Sequence, residues 1–84
     1  MKDFTIPPMP EYIFRIRQGS YSSDIPADFA DDTAAWEEGS NVCRDLILTI
    51  MHRLRDSPEW RLEIIDGSGS LRHVFRLTAE SFNR

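Results

Sequence analysis

Apolar and polar positions alternate with a period of two over Tyr12–Arg17, so Tyr12, Phe14 and Ile16 share one face of a strand. Ile13, Arg15 and Arg17 share the other. Gly19-Ser20 reads as a turn, and "YSSDIPAD" (21–28) as a short strand at a sheet edge, where Pro26 is tolerated. The alternation returns from Glu59 to Ile65, with Trp60, Leu62 and Ile64 on one side and Arg61, Glu63 and Ile65 on the other. "DGSGS" (66–70) predicts a hairpin turn, since its glycines can take positive φ. The return strand over Leu71–Leu77 would turn Leu71, His73, Phe75 and Leu77 inward and Arg72, Val74 and Arg76 outward.

Between these strands the period changes to that of a helix, over about 32 to 55. Asp31 is the expected N-cap, and Asp32 adds negative charge at the helix start. Trp36, Gly39, Cys43, Leu46, Ile47, Ile50 and Leu54 fall on one stripe about 100° wide. "GSN" (39–41) is a weak point, costing up to ~2 kcal/mol relative to alanines. Gly39 lies on the stripe, so a close approach to the sheet is the expected compensation. Leu48 points away from it, and Ser57-Pro58 ends the helix.

The predicted fold class is α+β: a small, mainly antiparallel sheet of three or four strands with one long helix on one face, in the order β-(β)-α-β-β. Residues 1–8 read as a flexible tail, since Pro7, Pro8 and Pro10 oppose a helix there. Residues 9–84 form the single domain. One helix covers one face only. The face with Tyr12, Phe14, Ile16, Trp60, Leu62, Ile64, Phe75 and Leu77 is too apolar to be the open one. Tyr12 and Phe14 are therefore core residues and not base-stacking platforms.

The order of these segments is familiar. "MPEYIFRIRQG", "ADDTAAWEEG", "EWRLEIIDGSG" and "LRHVFRLTAES" together resemble a family of short uncharacterised proteins common in alphaproteobacteria, a domain of unknown function. Its members begin M-P-x-Y-x-F, open their helix with P-D-x-x-A-A and end in a W-x-x-E-V-x-D-x-x-G hairpin. The resemblance spans about Met9 to Ser81 and implies a fold but no activity. Ala30 stands where a proline is usual, Asp32 where an apolar residue is common, and His73 at a position usually aliphatic.

The open face would carry Glu11, Ile13, Arg15, Arg17, Glu59, Arg61, Glu63, Ile65, Arg72, Val74 and Arg76. That is five arginines against three glutamates, on a chain of 84 residues whose net charge is -4. Ile13, Ile65 and Val74 would give it a small apolar centre with an arginine rim. The candidate interaction face is therefore Ile13, Arg15, Arg17, Arg61, Ile65, Arg72, Val74 and Arg76. The helix supplies a second candidate, because at about 36 Å it should overhang strands of about 23 Å.

Little else in the sequence carries chemistry. Cys43, the single cysteine, cannot form an intramolecular disulfide and lies on the opposite helix face from His52. Cys43 and His73 both face inward, where a meeting would be the one candidate for hidden reactivity. Asp24, Asp28, Asp31 and Asp32 read as a cap and a solvated loop, not a cation site. "DGSGS" lacks the glycine and late glutamate of a calcium loop. No phosphate-binding loop, nucleophile elbow or dinucleotide fingerprint occurs.

No catalytic, metal or cofactor site is expected, and no enzyme. The expected function is a non-catalytic, cytoplasmic interaction module that self-associates, most simply as a homodimer. An unknown protein partner is a further option. The alternative is a small regulator that contacts nucleic acid through the arginine-bearing face, which the acidic total charge disfavours. No segment is long and apolar enough for a membrane span.

Overall fold

The protein's structure, a computed structural model, describes residues 9–82. The tail expected over residues 1–8 lies outside the described residues. Five elements follow in the order β1 (Glu11–Gln18), β2 (Tyr21–Asp28), α1 (Asp32–Arg53), β3 (Glu59–Asp66) and β4 (Leu71–Thr78). The strands form one antiparallel sheet in the spatial order β2-β1-β3-β4. The α+β arrangement matches the hydrophobic pattern, with the second strand present as a full eight-residue edge.

Local chemistry accounts for each junction. Gly19 takes φ +58 in the β1–β2 turn and Gly69 φ +87 in the β3–β4 turn, where residues with a Cβ are strained. Asp66 Oδ1 accepts from the Ser68 and Ser70 N–H groups, at 3.0 and 2.9 Å, and so closes the second turn through a side chain. Asp31 caps α1 by accepting from the Ala34 N–H at 2.8 Å. The helix stops two residues short of the pattern's limit, at Arg53, with Leu54 as its C-cap.

Pro26 fits its edge because its nitrogen faces away from the neighbouring strand. The Phe29 N–H donates to Pro10 O, which sets the alternation of inward and outward backbone groups in β2. Pro26, three residues before Phe29, then points its nitrogen away from β1, where no ladder bond is lost.

The core is Tyr12, Phe14, Ala35, Ile50, Leu54, Trp60, Leu62 and Ile64, all buried. Phe29, in the β2–α1 connection, packs on Phe14 and Tyr12 with ring centroids 5.4 and 6.0 Å away. It covers the part of β1 that the helix does not reach. The helix itself rests evenly on β3 and β4. Gly39 makes this possible: a Cβ there would sit 2.7 Å from Phe75 Cε1 and 2.8 Å from Ile64 Cδ1. The weak point in the helix is thus the point of closest approach.

Two parts of the predicted burial are corrected. Ala35, off the expected stripe, is fully buried, whereas Trp36 (47% exposed), Leu46 and Ile47 (38% each) are only half covered. The buried helix residues Ala35, Gly39 and Ile50 lie to one side of the expected stripe, so the helix is turned about its axis and Trp36 and Ile47 fall on its flank. Both ends of α1 are pinned, and residues 44–49 between them are exposed. The uncovered part is the middle of the helix and its flank, not a projecting end.

The second correction concerns the start of β4. Ile64 pairs with His73 but Ile65 pairs with Leu71, so β4 carries an extra residue there, a β-bulge. Leu71, expected inside, stands opposite the outward Ile65 and is 55% exposed. Arg72, expected on the open face, turns its guanidinium to Asp32 at the start of the helix.

Candidate functional site: two surfaces and a junction

The open sheet face is built by cross-strand rows. Arg15 is bound by Asp24 of β2 through two hydrogen bonds, at 2.8 and 3.0 Å. This pair draws the Asp24 carboxyl below its ordinary range. Pro26, Ile13 and Ile65 make an apolar row. Next to it lies a shallow cavity of about 310 Å³ lined by Glu11, Ile13, Arg15, Ile65 and Asp66 with the turn glycines.

The opposite end of that face is unusual. Arg17 pairs directly with Arg61, and Arg61 with Arg76, so three arginines stand abreast on neighbouring strands. Like charges placed directly opposite are destabilising. Glu63 offsets this by meeting Arg61 at 3.1 Å and Arg17 at 3.7 Å, and Glu59 holds Arg76 at 2.9 Å. The buried Nε of Arg61, between its two like-charged neighbours, has no hydrogen-bond partner among the described residues.

Of the predicted face residues, Ile13, Arg15, Arg17, Arg61, Ile65, Val74 and Arg76 share this surface, and Arg72 leaves it. The sheet order also adds Asp24 and Asp28 of β2, opposite Arg15 and Glu11. The face then holds four arginines and five carboxylates, a net charge of -1 where the strand pattern implied +2. Alternation within single strands does not reveal this, because it assigns the β2 side chains no partners.

The second surface is the flank of α1 above β4, the outer strand of the described sheet. Trp36 tilts over Phe75, with ring centroids 5.5 Å apart, which identifies this flank as the β4 side. Ile47 follows along it at helical spacing. Further along, Met51 and Leu54 share a groove of about 410 Å³ with Pro58 and Ala79. Met51 is 53% exposed, and Leu48, on the far face as expected, is 83% exposed.

A polar junction joins the helix start to two strands. Asp32 Oδ1 accepts from the Tyr12 hydroxyl at 2.8 Å, and Asp32 Oδ2 accepts from Arg72 Nε at 2.7 Å. His73 Nε2 donates to the Asp32 carbonyl at 3.0 Å, which fixes its proton on Nε2 because a carbonyl only accepts. The Tyr12 and Arg72 hydrogen bonds pull the Asp32 carboxyl below its ordinary range. The same carboxylate pushes the Tyr12 phenol up. Positions 32 and 73 both depart from the pattern of the family resemblance, and they adjoin.

The junction also separates His73 from Cys43. His73 is tied to Asp32, eleven residues before Cys43 on the helix, a distance of about 16 Å. The structure does not bring them together. Burial pushes the Cys43 thiol up, away from a reactive thiolate. Among the described residues no group of three or more His, Cys, Asp or Glu is arranged to hold a metal. No described helix is long and apolar enough to cross a membrane.

A family model described as a domain of unknown function, DUF6894, matches residues 12–79, from the first core tyrosine to just past the last strand. The chain belongs to the DUF6894 family. The matched span of this DUF6894 domain contains both surfaces and the Asp32 junction. No curated protein and no solved structure matches the chain.

Proposed function

We propose that this DUF6894 domain is a non-catalytic interaction module of the cytoplasm that self-associates as a homodimer. One observation carries the reading: α1 leaves Trp36 and Ile47 half uncovered on the flank above β4, on a domain small enough that this apolar area matters to its stability. The open sheet face supports the reading less well. Its arginines are matched by carboxylates within the same face, and its net charge of -1 offers phosphates no net attraction.

Light scattering across a dilution series tests this. The expected mass is about twice the 9.8 kDa of the chain, returning to one chain in Trp36→Glu and Ile47→Asp. Ile65→Asp, on the sheet face, should leave the dimer intact. A monomer at every concentration defeats the reading. Dissociation by Ile65→Asp alone would move the interface to the sheet face.

A further inference from the structure

We infer that two copies of this domain join along β4, edge to edge and antiparallel, with the two-fold axis passing between Phe75 of each copy, so that the sheet runs on into eight strands. The inference rests on the self-association proposed above and specifies its geometry.

The two edges of the sheet differ. The β2 edge is blunted, since Pro26 presents no N–H to an incoming strand and Asp24 and Asp28 add like charge. The β4 edge, Leu71–Thr78, contains no proline. The Ala79 N–H donates to Pro58 O, which sets the alternation in β4. Phe75 and Leu77 therefore bond to β3, and Val74, Arg76 and Thr78 point their N–H and C=O groups outward, with no neighbouring strand among the described residues.

Side chains select the register. A two-fold centred on Arg76 sets Arg76 against Arg76 of the other copy, which places like charges directly opposite. A two-fold centred on Val74 sets Phe75 against His73 of the other copy and parts the two Phe75 rings. A two-fold centred on Phe75 avoids both: Val74 faces Arg76, Arg72 faces Thr78, and Phe75 meets Phe75 on the helix side. The pairs of Val74 with Arg76 then exchange about four main-chain hydrogen bonds.

The helices fit the same operation. Strands lie about 4.8 Å apart, so β4 would lie about 2.4 Å from the axis and the β3–β4 midline about 4.8 Å from it. Because α1 rests evenly on β3 and β4, the two helices come to lie about 9.6 Å apart, within the 8–10 Å at which helices pack. The flanks that meet carry Trp36, Ser40 and Ile47. Trp36, over Phe75, sits beside the axis and would be covered by its own counterpart. The β4 edge and the α1 flank, both without a neighbour among the described residues, are thus completed together by a second copy.

Cysteine cross-linking in a Cys43→Ala background tests the register, with molar mass measured on the same samples. Residues of a hydrogen-bonded antiparallel pair have Cα atoms about 5.5 Å apart, within disulfide range. Val74→Cys with Arg76→Cys should form a covalent dimer under mild oxidation at least tenfold faster than either single variant. Both sites are exposed, so neither change threatens folding.

Rapid cross-linking of Arg76→Cys alone, or of Val74→Cys alone, would reveal one of the rejected registers and overturn the inference. A dimeric mass with no preference for the double variant would overturn edge pairing while leaving self-association standing. A monomeric mass would remove both.

Discussion

Tyr12 and Asp32 meet across the sheet–helix junction, the phenol donating to the carboxylate at 2.8 Å. Asp32 also accepts from Arg72 of β4, so one side chain at the start of α1 ties down two strands that are not neighbours, with β3 lying between them. The negative charge sits in the first helical turn, where the N–H dipoles favour it.

The first prediction follows from that bond. The carboxylate disfavours a phenolate beside it, so Tyr12 should ionise above the ordinary tyrosine range. Absorbance titration should show a tyrosine component above about pH 10 that disappears in Tyr12→Phe and moves down in Asp32→Asn. An unchanged curve in Asp32→Asn would show that the bond does not form in solution.

Acid stability gives a second. Asp24, Asp32 and Asp66 all have carboxyls held below their ordinary range, by Arg15, by Tyr12 with Arg72, and by Ser68 with Ser70 respectively. In the unfolded chain these groups take up protons near pH 3.9, before the folded ones do. Their stabilisation is therefore complete above that pH and is lost as pH falls through the lowered folded values. Urea midpoints measured from pH 6 to pH 2.5 should decline below about pH 4. Asp32→Asn should decline less steeply.

Packing at the helix–sheet contact sets a third. Gly39→Val places methyl groups where Phe75 and the fully buried Ile64 already lie. It should cost about 1–3 kcal/mol or more from overpacking. Leu62→Ala, at a fully buried site, should cost about 2–5 kcal/mol. Leu48→Ala, on the exposed face, should stay within about 0.5 kcal/mol. Urea unfolding monitored by tryptophan fluorescence ranks the three.

The two glycines of the β3–β4 turn separate in a fourth. Gly69 has φ +87 and open space around it, so Gly69→Ala meets only backbone strain, about 1–2 kcal/mol. Gly67 lies outside the positive-φ region and a Cβ there would make an ordinary 3.5 Å contact with Glu11 O, so Gly67→Ala should be close to neutral. Equal losses at both positions would contradict the turn geometry.

The elements and the inner face were legible in the sequence because they depend on period and local chemistry. Tyr12, Phe14, Trp60, Leu62 and Ile64 alternate, and they are buried. Asp31 precedes the helical pattern, and it caps. Gly39 interrupts a helix on its buried stripe, and it marks the contact with β3 and β4. Pro26 implied an edge, and β2 is one.

What depends on neighbours was decided only in three dimensions. No period records which strand lies beside which, so the arginine row of Arg17, Arg61 and Arg76, and the carboxylates of β2 that reverse the sign of the open face, emerge only from the sheet order. A single extra residue at the start of β4 exchanges the roles of Leu71 and Arg72, since register is a relation between two strands and alternation describes one. The helix pattern marks an apolar stripe, but packing turns the side with Ala35, Gly39 and Ile50 onto the sheet. Trp36 and Ile47 lie further round the helix and are left half exposed for that reason.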